Sequence, residues 1–143
     1  MEAMAALLIL ALQDGPLKPL EFLAGEWKAD AGTVEHSWKL GGKFLQSDWK
    51  DADGNALGRT MIGYDAERRQ LALWTFGRDG AAGRGALVES AEGKVWTFAG
   101  KTGDAIWRQT ISKNDDGTFL LMMETPDEDG VWAVKSMTTY AKP

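Results

Sequence analysis

The chain has 143 residues, a net charge of −5, no cysteine, one histidine and seven tryptophans. Its length fits one domain, and the missing cysteine excludes disulfides, thiolate metal sites and cysteine nucleophiles. The acidic balance argues against a nucleic-acid surface, which needs a basic stripe, and no apolar stretch is long enough for a membrane span.

The N-terminal segment 1–19 reads as separate from a domain at 20–143. Residues 4–12 (Met-Ala-Ala-Leu-Leu-Ile-Leu-Ala-Leu) form an apolar run. Two readings of it stay open. One is the hydrophobic region of a signal peptide, which would mean export to the periplasm or outside; the other is a short apolar helix capping the domain. Glu2 precedes the run without Lys or Arg, and no clean Ala-x-Ala site follows it. Export is preferred over a cytoplasmic location. A linker with Pro16 and Pro19 comes next, then one helical turn at 20–23 that Gly25 stops.

From residue 27 onward, clusters of Gly, Asp and Asn recur at 51–55, 65–68, 78–80, 91–93, 100–103, 114–117 and 127–130. Glycine supplies positive φ, and Asp and Asn bond back to nearby backbone, so the clusters predict tight turns. Between them lie runs expected as strands at 26–30, 33–40, 43–50, 56–64, 70–76, 86–89, 95–99, 105–112, 118–125 and 132–140. The long glycine-rich stretch from Gly77 to Gly85 is expected as a loop and the one candidate for a mobile flap. Strands joined by tight turns pair antiparallel. The predicted fold is all-β: a single up-and-down antiparallel barrel of eight to ten strands after a short N-terminal helix.

Particular residues strengthen that expectation. Phe22-Leu23-Ala24-Gly25-Glu26-Trp27 resembles the Gly-x-Trp opening of lipocalins and fatty-acid-binding proteins. Trp38-x-x-Gly41-Gly42-Lys43-Phe44-Leu45, Ile62-Gly63-Tyr64-Asp65 and Leu73-Trp74-Thr75-Phe76, followed by Asp79-Gly80, continue the likeness. Together they resemble the bacterial lipocalin-like domains of unknown function, from about Leu20 to the C-terminus. The resemblance implies a calycin-type barrel and no particular reaction. It also implies a basic side chain from the last strand packed across the first-strand tryptophan, with Lys135 the residue expected over Trp27.

The chemistry is sparser. Arg59, Glu89, Arg108, Glu124 and Lys135 fall in mid-strand, where a charge facing inward must be paired or must await a polar ligand group. Arg108, within Ile106-Trp107-Arg108-Gln109-Thr110, resembles the interior arginine with which fatty-acid-binding proteins receive a carboxylate. The expected ligand site is therefore Arg108, aided by Arg59, with Trp74 and Trp96 at its flanks and Glu124 and His36 nearby. Asp51-x-Asp53-Gly54 and Asp127-x-Asp129-Gly130 lack the further ligands of a calcium loop and read as hairpin turns. No metal, cofactor or catalytic motif is assigned.

The preferred function is binding of a small, largely apolar or amphipathic molecule in the barrel interior. The alternatives are an isomerase- or cyclase-type enzyme with His36 or Glu124 as general acid–base, a haem-binding barrel with His36 as ligand, and a solidly packed interaction domain.

Overall fold

The computed structural model describes residues 15–143, so the apolar run at 4–12 and the choice between its two readings lie outside the described residues. A 3-10 turn at Lys18–Leu23 leads into ten strands: β1 Gly25–Ala29, β2 Gly32–Lys39, β3 Phe44–Asp51, β4 Ala56–Asp65, β5 Gln70–Gly77, β6 Ala82–Ala91, β7 Val95–Thr102, β8 Ala105–Lys113, β9 Phe119–Pro126 and β10 Trp132–Tyr140. Each pairs antiparallel with the next in sequence order, as the run of tight turns requires. The all-β, up-and-down barrel expected from the sequence is the fold found.

The barrel is nearly closed. Its seam is one bridge, where the Lys28 N–H donates to the Ala141 carbonyl (2.8 Å) and the Ala141 N–H donates to the Lys28 carbonyl (2.9 Å). The rest of β10 is an edge strand, and a bulge between Val134 and Ser136 places Lys135 there. A charged residue in a bulge is a common device against edge-to-edge pairing.

Alternation sorts the side chains into two faces. Trp27, Val34, Leu45, Ile62, Leu73, Phe98, Ile111 and Phe119 point inward and are almost wholly buried. The 3-10 turn closes one end of the barrel with Leu20 and Leu23, and Phe22 stacks on Trp96 at 5.7 Å. Trp27 fixes this base: its Nε1 donates to the Leu23 carbonyl (2.7 Å) and its ring meets Phe119 edge-on at 4.8 Å.

The cation over Trp27 is Lys142, whose Nζ lies 4.3 Å from the ring centre and donates to the Ala24 carbonyl at 2.8 Å. The expected Lys135 lies toward the other end of β10, away from the seam, in the bulge just described. A basic group from the chain's end does cover the tryptophan, but from beyond the last strand.

One segment departs from expectation. Residues 82–85 belong to β6 and form no flap; only a tight turn remains, with the Gly77 N–H on the Ala81 carbonyl. The glycines are there for close approach. A Cβ on Gly85 would lie 2.6 Å from Cη2 of Trp107, and one on Gly100 would collide with the Arg84 carbonyl. Gly83, Gly85 and Gly100 thus form a bare patch of inner wall, over part of which the Trp107 indole lies. The aspartates at the turns act as read: Asp51 Oδ1 accepts from the N–H groups of Asp53 and Asn55, and Asp127 Oδ1 from those of Asp129 and Val131.

Candidate functional site

Opposite the plugged base, the interior opens to solvent through a cavity of about 440 Å³. Its inner wall is built by the inward parity of six strands. Trp49 comes from β3, Thr60 from β4, Thr75 from β5, Gln109 from β8, Leu121 and Met123 from β9, and Thr138 and Tyr140 from β10. Leu57, Phe76, Lys50 and Arg59 surround the mouth, where Leu57 and Phe76 expose their apolar side chains. A groove of about 360 Å³ also exists at Pro16, Phe44 and Tyr64. It shares no lining residue with the open cavity.

The polar groups of the inner wall are neutral, and the two cations, Lys50 and Arg59, stand at the mouth. Thr60 Oγ1 accepts from Trp49 Nε1 at 3.1 Å. Burial pushes the Tyr140 hydroxyl above its ordinary pKa, so it stays protonated at neutral pH. Gln109 is only 4 % exposed, and its side-chain amide makes no hydrogen bond to any described residue. A side-chain amide carries two donors and an acceptor, and where this one meets the open cavity they are left to water or to a ligand.

His36 also faces inward, one layer deeper. Its Nδ1 is 2.6 Å from Ser47 Oγ, its ring packs edge-on against Trp49 and Phe119, and its Nε2 has no partner. Burial, with a smaller contribution from the charge on Lys142, lowers its pKa to about 4, so the imidazole is neutral. It does not line the cavity; Trp49 and Tyr140, whose ring centres are 5.8 Å apart, belong to the wall there.

Of the other residues expected at the site, only Arg59 touches the cavity, and only at its mouth. Arg108 and Glu124 face each other across β8 and β9 on the outer wall, in a two-pronged ion pair of 2.9 and 2.8 Å. The guanidinium stacks on Trp132 at 4.6 Å, so its partner is intramolecular and on the outside. The reason is parity. Trp107 and Ile111 point inward, Gln109 shares their face, and Arg108 between them must point out.

Arg59 is likewise outward, 2.7 Å from Asp48, and half-exposed at the mouth. Trp74 is on the outer wall beside Phe44, with the Arg84 guanidinium 5.8 Å from its ring. Trp96 is inward but packed into the plugged base. Only His36 and Trp96 of the expected set face inward, and neither lines the cavity. Gln109, Trp49 and Tyr140 were missed; the signal for Gln109 was its place two residues from Trp107 and from Ile111.

Among the described residues no group of three or more His, Asp or Glu side chains could hold a metal ion, and no helix is long and apolar enough to cross a membrane. No known family pattern matches the chain, and no curated protein is similar to it in sequence.

Proposed function

We propose that the protein is a binding module that takes a small, largely apolar molecule into the open end of its barrel. The observation that carries this reading is the 440 Å³ cavity, whose lining mixes apolar and aromatic side chains with neutral polar ones and has Lys50 and Arg59 at its mouth. Ligand sites are commonly of this size and composition. The nearly closed ten-stranded barrel is compatible with a calycin-like fold, and the lipocalin-like motifs around Trp27 support the same reading. The enzymatic alternative finds less support, because Glu124 is tied to Arg108 on the outer wall and His36 stands behind the cavity lining. The haem reading meets the same obstacle at His36.

The test is a titration with the neutral fluorophore N-phenyl-1-naphthylamine. Saturable enhancement at one site per chain is expected, together with its loss in Thr138→Trp, which places an indole in the cavity without touching the plugged base. Absence of saturable binding in the unmodified chain, or equal binding in the variant, would remove the cavity as the site.

A further inference from the structure

The character of the cavity wall narrows the ligand class, on the assumption that the binding reading holds. We propose that the cavity selects uncharged ligands carrying one hydrogen-bonding group, a hydroxyl, carbonyl or amide, and that Gln109 is the residue that reads it.

Three observations meet at this point. Gln109 is almost wholly buried, its amide faces the open cavity, and no described residue hydrogen-bonds that amide. A ligand that displaced water from the cavity without offering the amide a partner would leave it unpaired, whereas a hydroxyl or carbonyl placed against it would not. Around it, the polar groups of the inner wall are hydroxyls, with the Thr60 oxygen already engaged by Trp49.

Finally, the charges that would receive an anion are elsewhere. Arg108 is committed to Glu124 on the outer wall, and Lys50 and Arg59 touch the cavity only at its mouth, Arg59 already paired with Asp48. A carboxylate drawn in to Gln109 would lose its hydration and gain no cation to offset that loss. A neutral head group meets a partner that both donates and accepts. Specificity built on one buried hydrogen-bonding residue is strong, because a ligand without the matching group leaves that residue unpaired.

Competition against bound N-phenyl-1-naphthylamine at pH 8 tests this with four eight-carbon probes: 1-octanol, octanamide, octanoate and 1-chlorooctane. In the unmodified chain, octanol and octanamide should displace the fluorophore at concentrations at least roughly tenfold below octanoate. Gln109→Leu should weaken octanol and octanamide by roughly tenfold while leaving chlorooctane and the fluorophore unchanged. Octanoate competing as well as octanol would overturn the proposal, as would an unaltered preference in Gln109→Leu. Octanoate binding that is lost in Lys50→Ala or Arg59→Ala would place the head group at the mouth and overturn it as well. Should Gln109→Leu fail to fold, the ranking of alcohol and amide against carboxylate in the unmodified chain still decides. If the fluorophore and all four probes fail to bind, the binding reading itself falls and takes the selectivity with it; if the probes bind without discrimination, only the selectivity falls.

Discussion

His36 has one neighbour able to bond it, the Ser47 hydroxyl, and an imidazolium would need two acceptors. Enclosed by Trp49 and Phe119, the ring stays neutral until its folded pKa of about 4, while the unfolded chain takes up its proton near 6.5. Between those values the unfolded state binds more protons, so stability rises with pH across that window. The contribution is fully present above pH 6.5 and is lost as the pH falls toward 4. A displacement of that size is worth about 3 kcal/mol. The paired aspartates act lower. Asp65, held down to about 2 chiefly by the Arg68 backbone N–H and also by the Arg84 guanidinium, gives stability that is present above 3.8 and lost only below it. Urea unfolding at pH 4.5 should therefore show about 2–3 kcal/mol less stability than at pH 7.5. In His36→Gln most of that difference should vanish; an equal difference in the variant would assign the effect to other groups.

At the scale of a strand, the two faces decide everything, and a shift of one residue exchanges them. The positions of the turns were legible because each rests on local chemistry, Asp51 and Asp127 folding their carboxylates back onto the next backbone N–H groups. Nine of the strands could be drawn from those turns to within a few residues. The tenth, β6, could not: Gly83 and Gly85 look like loop residues until Thr102 and Lys101 are placed against the first and the Trp107 indole against the second. The site was harder still. A guanidinium between apolar neighbours draws attention, whereas the adjacent amide does not, and only the burial of Trp107 and Ile111 shows which of Arg108 and Gln109 faces in. The glycine wall also makes a prediction. Gly85→Ala puts a methyl 2.6 Å from Trp107 and 2.9 Å from the Ala99 carbonyl, so wall or indole must move. The expected loss is about 1–3 kcal/mol, with a changed near-ultraviolet tryptophan signal; unaltered stability would mean that the wall is softer than the geometry implies.

For the whole molecule, the seam between first and last strands is the thinnest joint. Strands elsewhere are zipped along five or more register pairs, but the ends meet at Lys28 and Ala141 alone. Two backbone hydrogen bonds, the Lys142 ammonium over Trp27 and its bond to the Ala24 carbonyl hold the ring together. Each is modest, about 0.5–1.5 kcal/mol for a net hydrogen bond and about 0.5–1 for an exposed cation–π contact. They act at the same place, however, and a barrel with an open seam exposes an edge on β1 as well as on β10. Ending the chain at Tyr140 should therefore lower stability by about 2–4 kcal/mol, well beyond the loss in Lys142→Ala, which keeps the backbone bridge. Hydrogen exchange at the Lys28 amide should report the same hierarchy, slowest in the full chain, intermediate in Lys142→Ala and fastest in the shortened one. Because the base is plugged separately by Leu20, Leu23 and Phe22 against Trp96, the shortened chain should still fold and still enhance N-phenyl-1-naphthylamine fluorescence. A shortened chain as stable as the full one would show that the barrel behaves as an open, curled sheet whose ends need not meet.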